Sequence, residues 1–427
     1  MKKGFIILFS LIAVFIVLVY VSLSETEDNF RTCSVLNIND LESINFKDYD
    51  SVTVAANTLY EASFLKEIMQ GVQYRKAWAT PVTVPVVFLD TLKGGLAVIE
   101  QGGGKQTHSL ELEDSLGIRY TLRSLSKDPE PLVPEIAKDL NLENIVIDGI
   151  SSQHPYSALV VAKLSDAAQL LHTHPTLVFV PKQDALEKFN EKFGNRLYLF
   201  EYESEGKINW TGLPDIIEIA DTEDLQEYKL KYGQAVSIDK KALIRARLFD
   251  LIIGDWDRHA KQWGWAIEKK NNQFLAIPVA ADRDNAFFTQ DGIIPSLIAN
   301  DLILPEMQEL EKNIDFLEGL VTSFDEYFLR QATLEQFTDE ASRLKDLLSN
   351  EEINEAFKVW PKSIDSLDGA AIRKKLMARR DDISKDAEEF HKIVNERPLS
   401  KIELKGSEDL KLRNGLENCF DCSTTFP

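Results

Sequence analysis

Two short acidic stretches hold the side chains best suited to chemistry. Residues 251–262 read LIIGDWDRHAKQ and residues 277–288 read IPVAADRDNAFF, so Asp255, Asp257, Asp282 and Asp284 form two tight clusters, each behind an apolar run. A plain surface scatters such charges. Carboxylates concentrated behind buried elements can hold a divalent cation and accept a proton. Phosphoryl transfer asks for that combination, being mostly positioning and charge neutralisation: a base beside the acceptor, two metal-ligand side chains and a cation on the phosphates. Asp257 is the candidate base, and the amide of Gln262, five residues on, can return an oxygen to a metal beside it. Asp282 stands on the next loop, where a second metal-binding carboxylate belongs; Asp284 and Asn285 are the metal pair if the register lies two residues further on. Against this, Asp257 could cap a helix or pair with Arg258, and Asp255 could be purely structural. His259 reads as a hydrogen-bonded loop scaffold, and Trp256, Trp263 and Trp265 as packing.

The elements that must carry these loops are legible from periodicity. KKALIRARLFDLII from Lys240 reads as a helix running into the first cluster, and WGWAIEKKNNQFLAIPV as a β-hairpin leading into the second. Upstream, VTVPVVFLD, LAVIE, SLELED and GIRYTLRSL alternate or run apolar between glycine turns, which predicts a small antiparallel sheet over about 80–126. PYSALVVAKLSDAAQLL is apolar nearly all round, as a buried helix is, and TLVFVP and RLYLFEYE read as strands. NTLYEASFLKEIMQGV reads as an amphipathic helix. From Pro305 to Glu396 the chain reads helical, with MARRDD as a solvated face. The expected organisation is 1–24 anchor or signal segment, 25–75 spacer and leading helix, 76–204 N-lobe, 205–396 helical C-lobe, and 397–427 tail.

At 427 residues the chain suits a two-lobed body with a large core. A net charge of -21 excludes a general nucleic-acid binder, whose affinity comes from a dense basic surface. Lys2 and Lys3 precede residues 4–24, which carry no charge and are long enough to cross a bilayer. The positive end stays in the cytoplasm, placing the body outside, whether the segment is an uncleaved single-pass anchor or a cleaved signal that leaves a secreted protein. Cys419 and Cys422 have the spacing of a small terminal disulfide. His154, His172 and His174 lack an acidic or cysteine partner at ligand spacing and read as structural.

The DRH triplet, the hairpin and the run from Asp282 to Phe287 resemble the atypical kinase superfamily that contains HipA-type bacterial kinases, type II phosphatidylinositol kinases and the secreted Golgi casein kinases. With YRKAWATPV, GGGKQT, HPYSALVV and GDWDRHAKQWGW, the chain looks closest to a bacterial envelope family having this kinase-like core, over about Gln73 to Lys385. The resemblance implies an α+β, two-lobed protein-kinase-like fold, a small antiparallel-sheet N-lobe with one buried helix over a mainly helical C-lobe, preceded here by the transmembrane helix. It implies ATP or another nucleotide with Mg²⁺ or Mn²⁺ as cofactors, Asp257 as catalytic base, and Gln262 and Asp282 on the metal. The acceptor, a protein, lipid or glycan, stays open. Gly102, Gly103 and Gly104 would let backbone amides approach phosphate, with Lys105 and Gln106 beside them. Strand parity puts Arg119, Thr121 and Arg123 on one face, so either Arg123 or Lys127 is the phosphate cation. The sequence departs from the family in having Gln for Asn at 262, Arg for Lys at 123, and no glutamate on the buried helix; Asp148 or Gln153 could stand in for it. These departures leave a pseudokinase-like binding module as the alternative, and the scarcity of nucleotide outside the cytoplasm favours it.

Overall fold

The structure, a computed structural model, describes residues 2–24, 34–35, 40–102, 108–127, 133, 135–298, 303–412 and 415–422. Helix α1 (Lys2–Leu23) is apolar and exposed along nearly all its length, long enough to cross a membrane or to serve as a signal sequence. Strands β1 (Ser34–Val35), β2 (Ser51–Ala55) and β3 (Val82–Pro85) form a small antiparallel sheet. This differs from the single sheet expected over 80–126, since β3 pairs with β2 (Val52 opposite Val84) and not with the strands that follow it. Helix α2 (Phe64–Gln70) is shorter than the amphipathic run from Asn57 predicts. Asn57 Oδ1 accepts the Leu59 amide in a local turn, Ser63 caps the helix, and Gly71, at φ +94°, ends it.

The main N-terminal sheet contains β4 (Leu96–Gly102), β5 (Ser109–Asp114), β6 (Arg119–Ser124), β7 (Thr176–Val180) and β8 (Arg196–Tyr202), in the order β4-β5-β6-β8-β7, with every pair antiparallel. Because strand side chains alternate, Leu110, Leu112, Tyr120, Leu122, Tyr198 and Phe200 pack into a cluster on one face. Ser109, Glu111, Thr121, Arg123 and Glu201 fall on the other. That second face meets helix α3 (Ser157–Ala167), the buried helix, across a small cavity lined by Ala158, Val161, Leu199 and Glu201.

In the C-terminal part, β9 (Ile216–Ala220), β10 (Val236–Ile238), β11 (Trp263–Lys270) and β12 (Gln273–Ala280) form a sheet ordered β10-β12-β11-β9. The hairpin has Trp263 opposite Ala280, and Asn271 takes φ +56° in its tight turn. Helix α4 (Lys240–Ile253), capped by Asp239, is buried along its length and packs on α5 (Leu334–Leu347) and α6 (Ala370–Glu396). The fold is thus α+β, an antiparallel-sheet N-terminal part joined to a mainly helical C-terminal part.

Two expectations fail in the helices. Within the stretch read as helical from Pro305, FLEGLVTSFDEYFL (316–329) splits into Leu317–Leu320 and Ser323–Leu329, because Thr322 and Asp325 form a capping box that starts the second piece. In MARRDD, Arg379 and Arg380 are buried: Arg379 donates to the carbonyls of Leu251 (2.7 Å) and Glu311 (2.6 Å), and Arg380 to that of Leu348 (2.7 Å). Arg379 therefore satisfies a helix-end carbonyl of α4. The tail folds back on the body, with Leu404, Leu416 and Phe420 buried and Cys419 disulfide-bonded to Cys422.

Candidate active site

Helix α4 must end sharply to release the first acidic loop. Gly254 does this in the left-handed conformation (φ +68°), donating to the carbonyls of Asp250 and Leu251. A Cβ there would also press on Leu310, 3.0 Å away. The loop then runs Asp255, buried; Trp256, edge-on to Phe288; Asp257, one-third exposed; and Arg258, fully buried.

Arg258 ties the two acidic loops together. Its guanidinium donates to the Ala281 carbonyl (2.8 Å) and the Gln262 carbonyl (3.2 Å), faces Asp250 at 3.2 Å and Asp255 at 3.6 Å, and lies over the Trp263 ring at 4.6 Å. Asp250, one turn before the end of α4, is wholly buried among Arg247 (3.0 Å), Arg258 (3.2 Å) and Arg283 (2.9 Å). Neither residue is assigned this role by the sequence alone. An aspartate inside the apolar stretch FDLII was the available signal, since an uncompensated charge there would be costly.

The second loop leaves β12 with Asp282 at φ +50° and ends with Phe287 at φ +65°. Phe287, buried against Phe357 and Trp360, donates its amide to Ile253 at the end of α4 (2.9 Å) and accepts from the Tyr74 hydroxyl, so the phenylalanine anchors the loop. Between these anchors two cations, Arg123 on β6 and Lys127 three residues past its end, meet two carboxylates. Arg123 Nη1 reaches Asp282 Oδ2 at 3.1 Å, and Lys127 Nζ reaches Asp284 Oδ2 at 2.8 Å. Arg123 Nε also contacts Glu201 on β8 at 3.0 Å. Glu201 thus takes the pairing role that Asp148 and Gln153 were expected to offer. Asp148 instead pairs with Lys66 (3.0 Å) and Arg75, and Gln153 with Asn285 (2.6 Å). Glu201 lies directly across from Thr121, a residue of the same face as Arg123, so its place follows once β6 and β8 are known to be neighbours.

Asp282 Oδ1 is buried and has no hydrogen-bond partner. Burial pushes the Asp282 carboxyl up, but Arg123, Lys127 and Arg258 together hold it below its ordinary range. Asp257 is raised, first by burial and then by the charge of Asp282, so the two carboxylates feel one another across the loops. Asp284 is raised by burial and by Asp282. His259 lies 3.7 Å from Asp257 and 2.7 Å from Lys405 of the tail. Burial, then Lys405 and Arg258, lower it to about 4, so it is neutral at pH 7, as a scaffold should be. Gln262 is buried on the turn after Asp257, where its main chain bonds His259, Arg258 and Ala281. Gly102, at the end of β4, packs on the Glu111 and Ser109 side chains, leaving about 3.0 Å for a Cβ. Gly103, Gly104, Lys105 and Gln106 lie outside the described residues.

The histidines differ from the reading in one respect. Asp166 does lie with His172 (2.9 Å) and His174 (3.9 Å). His172 Nδ1 accepts the His174 amide at 3.1 Å, so its Nε2 carries the proton of the neutral ring and donates to Asp166. That nitrogen has no lone pair for a metal. His154 stacks on Trp360 at 4.2 Å, a packing role.

No family model matches the chain, and no curated protein does. Among solved structures, it is similar to the Helicobacter pylori proinflammatory kinase CtkA, at 12% identity and a TM-score of 0.35, over 70% of this chain and 95% of that one. It is also similar to a chain of the Shewanella oneidensis MR-1 toxin–antitoxin complex of HipA, HipB and operator DNA, at 12% identity and a TM-score of 0.31, over 69% and 67%. Likenesses this distant carry no argument about chemistry, which rests on the site's own geometry.

Proposed function

We propose that this chain is a metal- and nucleotide-dependent phosphotransferase of atypical kinase type, held at a membrane with its body outside the cytoplasm. The observation that carries the reading is the pairing of Arg123 with Asp282, a sheet cation on a carboxylate that has one orphaned buried oxygen, with Asp257 on the neighbouring loop made more basic by burial and then by the charge of Asp282. Oxygen donors of this kind suit Mg²⁺ or Mn²⁺, and Asp282, Asp284 and Gln262 would hold the ion. A bound divalent ion supplies charge neutralisation on the phosphates. Asp257 would accept the proton of an acceptor hydroxyl as its oxygen bonds to the terminal phosphorus; the bond to the bridging oxygen breaks and the nucleoside diphosphate leaves. Arg123 and Lys127 would turn from their carboxylates to the phosphates, and Gly102, with no Cβ, would let backbone amides approach them. The acceptor is a hydroxyl of a protein, lipid or glycan. The Cys419–Cys422 disulfide supports an oxidising, extracytoplasmic setting.

A second reading, a binding module without turnover, is favoured by one observation. The sheet face above the loops is acidic: burial, then the charges of Glu203, Glu100 and Glu205, raise Glu111 to about 7. Such a face opposes a triphosphate unless metal ions offset it. Thermal shift of the full chain in detergent, with and without Mn²⁺-ATP, separates the two. The phosphotransferase reading expects metal-dependent stabilisation, lost in Asp282→Ala, and a turnover defect with retained binding in Asp257→Ala. Absence of any nucleotide response with either metal would sink it.

A further inference from the structure

Helix α1 does not leave the body freely. Its last turn is docked: Gln70 Nε2 of α2 donates to Ser22 Oγ (3.1 Å), Asn144 Nδ2 to the Leu23 carbonyl (3.3 Å), and Tyr20 Oη to the Leu140 carbonyl (2.8 Å). Ser22 and Leu23 are buried while the helix before them is exposed. If residues 4–21 lie in hydrocarbon, the bilayer surface must lie against the part of the body that holds residues 22 and 23.

That part presents apolar side chains to solvent. Phe64 is 78% exposed and Ile68 42%, one helical turn apart on α2; Val72 follows at 47%. Against α2 packs the short helix Ile293–Ile298, where Ile293 is 44% and Ile298 41% exposed. Single exposed apolar residues need no explanation, but four on two adjoining helices, with Val72 just past the end of one, do. The two helices are held as one surface. A Cβ on Gly292 would stand 2.3 Å from the Gly71 amide and one on Gly71 2.2 Å from the Asp291 carbonyl, so both positions require glycine. The Asp291 carboxylate clamps the junction by accepting the amides of Val72 and Gln73, each at 3.1 Å.

We infer that the face formed by α2 and the Ile293–Ile298 helix rests in the polar–apolar boundary of a lipid bilayer, beside the point where α1 emerges. The continuity of this face with the docked end of α1 selects lipid as its occupant. The inference is independent of phosphotransfer and rests only on α1 being retained as a span. Because the Ile293–Ile298 helix follows the second acidic loop by five residues, from Phe288 to Ile293, a face held this way fixes the site's height above the membrane.

The test places a nitroxide at position 64 or 293 (F64C or I293C, each with Cys33→Ser) in the full chain reconstituted in nanodiscs of phosphatidylcholine and phosphatidylglycerol. The control is L116C, at the exposed β5–β6 turn, where Leu116 is 73% exposed. Power saturation then compares access of oxygen, which partitions into lipid, with access of a water-soluble nickel chelate. The expected oxygen-to-nickel ratio is several-fold higher at 64 and 293 than at 116. Equal ratios at all three sites overturn the inference, as does protection of 64 and 293 from both relaxers, which would mean a protein cover. Intact mass is measured first, and loss of residues 1–24 from the mature chain overturns it too.

Discussion

Replacing Asp250 by Asn tests how the two acidic loops are held. The side chain keeps its shape and loses its charge, within a buried set of three guanidiniums. Removing one partner of a buried ion cluster costs about 3–5 kcal/mol. The contacts argue for the low end. Arg247 retains Asp325 through Nε (2.6 Å) and Nη2 (2.9 Å), and Arg258 retains two carbonyls and Asp255. Arg283 keeps the Ser165 hydroxyl (2.9 Å) and the Phe249 ring (4.8 Å) but, among the described residues, no carboxylate within ion-pair distance, and its Nη2 already lacks a partner, so most of the cost falls there. With an unfolding entropy of about 2 cal/mol/K per residue over a chain of this size, ~3 kcal/mol lowers the melting temperature by about 3 °C if the chain melts as one unit. The pH dependence adds a sign. Burial pushes the Asp250 carboxyl up, but Arg283, Arg258 and Arg247 outweigh it and hold it below its ordinary 3.8. A depressed folded-state value stabilises above the unfolded one and loses that contribution as pH falls through the folded value. The gap between wild type and variant should therefore be full at pH 7 and narrow on acidification below about pH 4. Calorimetry over this range decides it: a variant melting within about 1 °C of wild type at pH 7, or a gap that widens in acid, would refute the account of Asp250 as the hub.

Lys405→Met should raise the His259 titration part of the way from about 4 towards 6.5, because burial is the larger cause and remains; an imidazole carbon resonance followed by NMR reports it, and an unmoved value disproves the tail contact. Glu111→Gln should be neutral near pH 4 and stabilising at pH 8. The wild-type carboxyl, raised by burial and Glu203 to about 7, loses stability as pH rises from 4.5 through that value, and the gain is on the order of 1 kcal/mol once solvent screening of a half-buried group is allowed for. Arg379→Met should cost about 1–3 kcal/mol by leaving the Leu251, Glu309 and Glu311 carbonyls short of a donor, read as a shift in the denaturation midpoint.

The sequence was most informative where one local period governs. Helix α4 and the β11–β12 hairpin fall where the apolar pattern puts them, and so does the buried helix α3. It was least informative where a role depends on which strands become neighbours. Nothing local says that β3 leaves the glycine-rich sheet, or that IIEIA and VSI join the hairpin at its two edges. The buried arginines mislead for a related reason: Arg379 sits in a charged run, and only the approach of the 309–311 segment and the end of α4 supplies the carbonyls that let it be buried. Arg258 and Glu201 are invisible for the same cause, since each takes its meaning from partners distant in sequence, and the charge of Asp250 in an apolar run marks a buried partner without saying which.

On the proposed reading, the choice between Arg123 and Lys127 as the phosphate cation changes character in three dimensions. Each already has its own carboxylate, Asp282 for the arginine and Asp284 for the lysine, so neither cation is free to meet an anion unaided. A metal arriving alone would compete with both cations for those carboxylates, and an anion arriving alone would meet the acidic sheet face. Arriving together, the metal would take the carboxylates and the phosphates the freed cations, so each group that loses a partner gains another of opposite sign. On the proposed reading, metal and nucleotide affinities are therefore linked through this exchange of ion pairs. The linkage is reciprocal: whatever factor the metal adds to nucleotide affinity, the nucleotide adds to that of the metal.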